Sequence, residues 1–308
     1  MSRLLIIDGH AYAYRAFHTI RELRGPAGRP TNAIFGFVKM LEKMRAGLQP
    51  DFLMVVWDGG LSAERMAALP GYKAQRPEMP DELRPQFDEI SSYLSAAGIA
   101  EFCGDGIEAD DYIGCLAQMA AAAGTGVVVA SSDKDFMQLV TLGSGVPGLA
   151  SGEIPQTPGS VGLLNPNDKT GMIWGRAEVF AKAGVEPEQI VDWLALMGDA
   201  VDNIPGVPGV GPKTAAGLLA QFGSVEKMFA RLDEVKSEKT RAALRSSEAD
   251  VRRNLDLVRL QKVPCAFAPE QLTVRPADIE HLRGLYRRWG FNGMLAALAG
   301  APQQTELI

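Results

Sequence analysis

Leu4-Leu5-Ile6-Ile7-Asp8, Phe52-Leu53-Met54-Val55-Val56-Trp57-Asp58 and Val127-Val128-Val129-Ala130-Ser131-Ser132-Asp133 are three apolar runs of strand length, each ending in an aspartate. Runs that are apolar throughout, rather than alternating with polar residues, belong to strands buried on both faces. The stretches 33–44, 81–97 and 109–123 between them carry helical periodicity. Strands alternating with helices predict a parallel sheet, so the first domain is α/β. Ligands of such sheets sit beyond the carboxyl ends of the strands. Asp8, Asp58 and Asp133 are therefore expected along one edge, as an acidic rim.

Working outward, the chain has 308 residues, 46% of them apolar and 22% charged, with 31 Lys+Arg against 37 Asp+Glu. That length and balance suit two globular domains. No apolar stretch approaches the roughly 20 residues of a membrane helix, and Asp8 follows Met1 too closely for a signal peptide, so a cytoplasmic protein without membrane contact is expected. Cys103, Cys115 and Cys265 form no CxxC pair, which argues against a disulfide framework or a zinc knuckle. Charge is unevenly spread: 211–262 holds 11 basic residues against 7 acids, while the rest of the chain is acidic. A basic module beside an acidic one suits gripping an anion and holding a cation.

Between 141 and 161 the sequence becomes Gly, Pro and Ser punctuation and predicts a surface loop. The amphipathic run 187–197 stops at Gly198. Gly206-Val207-Pro208-Gly209-Val210-Gly211-Pro212-Lys213-Thr214 then predicts a tight hairpin entering a helix, with Pro212 in its first turn. Basic helices follow to about residue 260, and 282–290 and 292–298 predict short closing helices. The expected division is 1–167, a catalytic α/β domain; 168–263, a helical module with its hairpin at 203–214; and 264–308, closing helices and tail. The hairpin resembles a phosphate-binding P-loop only superficially, because Pro212 separates Gly211 from Lys213 and removes one N–H. Gly206, Gly209, Gly211 and Lys213 instead suit a sugar-phosphate backbone held without base readout.

Nine acids lie at element ends: Asp8, Asp58, Glu108, Asp110, Asp111, Asp133, Asp135, Asp199 and Asp202. Each alone reads equally well as a cap or a turn residue. Together they need compensation, since two carboxylates about 4 Å apart repel by roughly 4 kcal/mol at an effective dielectric near 20. Oxygen ligands without His or Cys select Mg2+ or Mn2+, and a pair of such ions supports in-line phosphodiester displacement. Glu108 and Asp110 can both reach the rim only if the first helical turn is irregular. In Gly71-Tyr72-Lys73-Ala74-Gln75-Arg76-Pro77, Lys73 and Arg76 are expected to meet a phosphate while Tyr72 offers a face to a base; a solvated helix end with a core tyrosine is the alternative.

These residues resemble a known family. Leu5-Ile6-Ile7-Asp8-Gly9-His10 with Tyr14-Arg15-Ala16-Phe17, the Gly71–Pro77 segment, Glu108-Ala109-Asp110-Asp111, Ser132-Asp133-Lys134-Asp135 and Gly198-Asp199-Ala200-Val201-Asp202-Asn203-Ile204-Pro205-Gly206-Val207 are similar to the 5′ nuclease domain of bacterial DNA polymerase I. Free-standing 5′-3′ exonucleases and flap endonucleases belong to the same superfamily. The resemblance implies a PIN-like parallel-sheet nuclease domain with a helical arch, followed by an all-α helix-hairpin-helix type DNA-binding module. It implies one metal site around Asp58, Glu108, Asp110 and Asp133, helped by Asp8 and Asp111, and a second using Asp133, Asp135, Asp199 and Asp202. Lys73 and Arg76 would stand at the base of the arch, and hairpin carbonyls would hold a potassium ion. The segment 141–161 is an insertion relative to the family, expected to be dispensable.

The expected activity is metal-dependent 5′-3′ exonuclease and 5′-flap endonuclease action on DNA by a monomer, with Asp133, Lys73 and Arg76 at the reaction centre and a separate DNA polymerase as a partner. A free-standing nuclease is expected rather than a polymerase fragment. Two other readings stand beside it: a non-catalytic DNA-junction binder, and a PIN-type ribonuclease.

Overall fold

The computed structural model describes residues 2–146, 148–150 and 157–300. Strands β1 (Arg3–Asp8), β2 (Phe52–Trp57), β3 (Ala100–Cys103), β4 (Gly126–Ala130), β5 (Val161–Leu164) and β6 (Ile173–Trp174) form one sheet in the order β3-β2-β1-β4-β5-β6. All neighbours are parallel except β5 and β6. The three aspartate-ended runs are thus the three central strands, as their unbroken apolarity predicts. Alternate residues of β1 enter two separate cores: Leu4 and Ile6 on one face, Leu5 and Ile7 on the other. A strand with both faces buried has no solvent side on which to place a polar residue.

Helix α1 (Gly9–Thr19) starts directly at the end of β1, where Asp8 caps it by accepting the Ala11 N–H at 3.0 Å. A side chain at Gly9 would overlap the Trp57 ring, so the strand-to-helix turn requires glycine here. With α2 (Asn32–Leu48) and α4 (Arg84–Ala96), α1 covers one face of the sheet, while α5 (Ala109–Ala122) covers the other. The six-residue helix α3 (Ala63–Ala68) and a run of turns separate β2 from α4. Phe136 and Met137 lie in a 3-10 turn (Lys134–Leu139) rather than an α-helix, because Asp133 takes the Asp135 N–H and tightens the first turn.

The 141–161 segment is not a free loop along its described length. The N–H groups of Thr141 and Leu142 both bond the Val161 carbonyl at 3.0 Å, and Val146 bridges Ile173. Leu142 is buried, and Val146 and Leu149 pack against the core. Three apolar side chains spaced among glycines and prolines dock the chain without giving a periodic signal. The remainder of the expected loop, Pro147 and 151–156, falls outside the described residues.

The helical module comprises α6 (Arg176–Ala183), α7 (Ile190–Met197), α8 (Pro212–Phe222), α9 (Val225–Ala230), α10 (Glu238–Ser246) and α11 (Glu248–Val258). Its interior, including Trp193, Leu219, Met228 and Leu244, is continuous with the α5 side of the sheet. After the single-turn α12 (Pro269–Leu272), α13 (Ile279–Trp289) and α14 (Asn292–Gly300) close the chain. Leu282, Leu285, Tyr286 and Trp289 of α13 join the opposite core with α2 and α4, so the chain returns to the domain it began in.

Between α7 and α8, β7 (Gly198–Asp199) pairs with β8 (Ile204–Pro205) around the tight turn that carries Asp202. Pro208 and Gly209 form the exposed tip of the next turn, with Val207 and Val210 buried beneath it. Gly209 has φ +79°, a left-handed conformation that favours glycine. Gly206 differs from its neighbours: a Cβ there would overlap the Met197 carbonyl, whereas one at Gly211 meets nothing within 4 Å. We therefore expect Gly206→Ala to cost about 2–3 kcal/mol of stability and Gly211→Ala less than about 1 kcal/mol, measured by chemical denaturation; equal costs would contradict this division.

Candidate active site

The acids converge from five chain segments at the carboxyl edge of the sheet. Asp8 ends β1 and is buried; its Oδ1 takes the Ala11 N–H and its Oδ2 the Ser131 hydroxyl at 2.7 Å. Asp58 follows β2, held by its N–H donating to His10 Nδ1 at 3.1 Å. Asp133 follows β4, its N–H donating to Ser131 Oγ at 3.1 Å and its Oδ1 accepting the Asp135 N–H at 2.9 Å. Asp199 and Asp202 come from the β7–β8 turn and are both buried. Glu108 resolves the expected conflict at α5: it is the N-cap, with extended backbone, so it stands outside the helix while Asp110 lies within the first turn.

Burial, with crowding added, raises the proton affinity of four of these acids. Burial pushes Asp8 up to about 6, with Asp133 and Asp58 adding repulsion. Asp110 and Asp135 lie well above the ordinary carboxylate value, first through burial and then through the charge of Asp133. Asp133 is raised by burial, with Asp202 and Asp199 contributing. Glu108 is the exception. Burial opposes its charge, but Lys73 and Arg65 more than offset this, and its pKa falls.

The protein's own cations occupy the rim. Lys73 pairs with Glu108 and lies 3.9 Å from Asp202, its side chain only 1% exposed. Arg76 reaches Asp202 at 2.8 Å and Asp58 at 3.9 Å, and Lys134 reaches Asp199 at 2.8 Å. In this arrangement no group of three or more acidic, histidine or cysteine side chains among the described residues stands ready to hold a metal ion. The donor set nonetheless fits hard divalent cations. It is all oxygen, four of its carboxyls carry raised pKa values, and Asp58 Oδ1 and Asp135 Oδ1 are buried without any hydrogen-bond partner.

Several expectations are corrected. Asp111 does not face the rim: its two oxygens take Arg65 Nη1 and Nη2 at 2.7 and 2.8 Å, and Oδ1 also takes the Gln261 N–H at 2.7 Å. A carboxylate so fully paired has nothing left for an ion. Tyr72 offers no face to a base; it is buried, its hydroxyl donates to Glu108 Oε2 at 3.0 Å, and Lys73 stands 5.0 Å from its ring centre. Lys73 lies in a turn with Arg76 just after it, rather than at a helix end, and in this arrangement Lys73 is buried and paired with Glu108. Gly206 is a packing residue. Gly209, Gly211 and Lys213 are exposed beside the start of α8, which has no side-chain cap, leaving its first N–H groups open.

Sequence reasoning missed Arg65, Ser131, His10 and Lys134. Lys134 sits beside Asp133 in the motif itself and Ser131 two residues before it, so both were findable by proximity in sequence. Arg65 lies in a six-residue helix, too short to carry a periodic mark.

An acid-lined edge of a parallel sheet joined to a helical module with an open hairpin is the architecture of a nuclease. A family profile described as 5′-3′ exonuclease, N-terminal resolvase-like domain, matches residues 3–150, and one described as 5′-3′ exonuclease, C-terminal SAM fold, matches residues 185–280. The chain is 36% identical over 285 residues to a 5′-3′ exonuclease of Aquifex aeolicus (strain VF5), covering 92% of this chain and 90% of that protein. It is 36% identical over 309 residues to DNA polymerase I of Bacillus caldotenax, covering 99% of this chain but 33% of the polymerase. The chain belongs to the 5′-3′ exonuclease family. Its fold is shared with T5 5′-exonuclease, solved with divalent metal ions (zinc) bound, at a TM-score of 0.66 and 23% identity over 96% of this chain and 98% of that one. The catalytic core of Rad2 in complex with DNA substrate matches with a TM-score of 0.64 at 15% identity, over 96% of this chain and 92% of that one.

The raised carboxyls set a sign for stability against pH. Groups whose folded pKa exceeds the unfolded value stabilise fully below about pH 4 and lose that contribution as pH rises through the folded value. Glu108, with its lowered pKa, acts in the opposite sense at lower pH. The Asp8 contribution is therefore lost as pH rises through about 6. In chelator, Asp135→Asn should raise the unfolding midpoint at pH 7.5 by about 2–4 °C, with a smaller gain at pH 4.5. A fall in the midpoint at pH 7.5 would contradict the repulsion.

Proposed function

We propose that this nuclease removes nucleotides from DNA 5′ ends and cuts 5′ flaps with two Mg2+ or Mn2+ ions. The observation that carries this reading is the meeting of Asp8, Asp58, Glu108, Asp110, Asp133, Asp135, Asp199 and Asp202 at one sheet edge, with two buried carboxylate oxygens left unpartnered. Asp58, Glu108, Asp110 and Asp133 would hold one ion, with Asp8 behind them, and Asp133, Asp135, Asp199 and Asp202 the other. When bound, the pair supplies a hydroxide and stabilises the leaving oxygen of an in-line displacement.

The remaining steps belong to the side chains. Lys73 and Arg76 now neutralise Glu108 and Asp202. With those acids given over to ions, Lys73 and Arg76 would be the groups at the rim to orient the scissile phosphate and offset its growing charge. Ser131 and the Ala11 N–H fix both oxygens of Asp8, so that this buried acid shapes the rim without swinging into it. The exposed N–H groups at the start of α8, with Gly209, Gly211 and Lys213, grip the duplex through its phosphates, and the carbonyls of that hairpin are where a K+ ion would sit. Five arginines of the 211–262 stretch pair with its own acids, Arg252 with Glu226 and Glu248 among them, whereas Lys213 has no ion pair among the described residues and is free for a phosphate.

We take the protein to act as a cytoplasmic monomer in replication and repair alongside a DNA polymerase, since its polymerase I relatives join the equivalent segment to further sequence. Asp133→Ala should reduce cleavage of a 5′-flap DNA in Mg2+ by at least about 1,000-fold while flap binding in chelator stays within about threefold. A matched RNA flap should be cut more slowly than DNA by the wild type. Undiminished turnover by Asp133→Ala, or RNA cut faster than DNA, would overturn the reading.

A further inference from the structure

Arg65 is held from several sides just behind the carboxylate rim. It lies on α3 with its side chain 6% exposed, donates four hydrogen bonds and makes a further ion-pair contact with Glu108. Nε donates to the Leu257 carbonyl at 3.0 Å. Nη2 donates to the Arg259 carbonyl at 3.0 Å and to Asp111 Oδ1 at 2.8 Å. Nη1 donates to Asp111 Oδ2 at 2.7 Å and lies 3.2 Å from Glu108 Oε1. Three parts of the chain meet in one guanidinium: the start of α5, the exit of α11, and α3 itself.

The far side of that junction leads to the hairpin. Asn254 of α11 is fully buried, and its Nδ2 donates to the Ala195 carbonyl at 3.2 Å and to the Pro205 carbonyl at 2.7 Å, the residue before Gly206. The near side leads to the rim. Glu108 Oε1 also takes the N–H of Ser62, the cap of α3, at 3.0 Å, so α3 holds this oxygen by its cap and by Arg65 together. Oε2 is left to Tyr72 and Lys73.

We propose that Arg65 is a positioning residue for Glu108: it fixes one carboxylate oxygen to the exit of α11, so that the placement of an ion-holding acid depends on the docking of the DNA-gripping module. This rests on Glu108 being one of the acids that hold metal. A planar fork with five donors is what the junction needs, and lysine, with three donors on a single nitrogen, cannot reproduce it. Groups that orient a metal-holding carboxylate typically change metal affinity or activity about 10- to 100-fold when replaced.

The test compares the full-length wild type with Arg65→Lys, Glu108→Gln and Leu285→Ala, the last a core truncation on the opposite face of the sheet. Mn2+ binding is measured by calorimetry without DNA, flap-DNA binding in chelator, and kcat and KM in Mn2+. Arg65→Lys should weaken Mn2+ binding and lower kcat about 10- to 100-fold, keep flap binding in chelator within about threefold, and regain rate as Mn2+ is raised. Unchanged Mn2+ affinity and kcat, or losses that merely track the unfolding midpoint as in Leu285→Ala, would overturn the proposal. If Arg65→Lys does not fold, Asp111→Asn, which loosens the fork but keeps both carbonyl contacts, should show the same pattern. Failure of both to fold would assign Arg65 a purely structural role. Retained Mn2+ binding and cleavage in Glu108→Gln would instead refute the reading of Glu108, whereas loss there with normal Arg65→Lys would sink only the positioning role.

Discussion

Mutual repulsion among carboxylates held at one sheet edge is the constraint around which this molecule is organised. Burial raises the proton affinity of Asp8, Asp110, Asp133 and Asp135, and charge adds to it: Asp133 raises the other three, and Asp202 and Asp199 raise Asp133. Such crowding is tolerable only because positive charge is built in at the same place: Lys73 on Glu108, Arg76 on Asp202, Lys134 on Asp199. These contacts differ from the surface pairs of the helical module, such as Arg231 with Glu234, which are solvent-screened and contribute little. At the rim, loss of a partner would leave a buried charge uncompensated.

The fold delivers the acids through ordinary features put to a common use. Three strands end together, so the residues that follow them emerge together. Two of those acids, Asp8 and Asp133, cap the next turn with one oxygen. Glu108 and Asp110 arrive at the start of α5, and Asp199 and Asp202 on a turn docked against the one that carries Lys73. Lys73 and Asn203 have φ of 55° and 56°, unusual for residues with side chains. The turns holding them bind each other directly: the Lys73 N–H donates to the Asp202 carbonyl at 2.9 Å, and Asn203 Nδ2 to the Gly71 carbonyl at 2.7 Å. Local strain maintained by mutual contact is a mark of functional turns, and here it joins the cationic turn to the acidic one.

Much of this was legible in the sequence. Unbroken apolar runs ending in Asp8, Asp58 and Asp133 identified the central strands and their common edge, because burial on both faces leaves no alternation. Strand β3 was not legible: its four residues, Ala100–Cys103, alternate in exposure and carry a glutamate. The return of α13 to the first domain was hidden for another reason, since a helix's amphipathicity shows that it is half-buried but not against what. In the site, residue type and spacing identified the rim acids, yet could not separate Asp110 from its neighbour Asp111. That distinction depends on Arg65, forty-six positions earlier in the chain. For Tyr72 and Lys73 the sequence displayed an aromatic beside a cation, and only packing reveals that both turn inward onto Glu108.

The most direct measurement is anomalous diffraction at the manganese edge from crystals equilibrated with Mn2+ at neutral pH. The account predicts two peaks sharing Asp133, one contacting Asp58 and Asp110 and the other Asp135 and Asp202, with Lys73 drawn away from Glu108 and Arg76 from Asp202. Crystals showing no anomalous density at the rim, with both ion pairs intact, would contradict it.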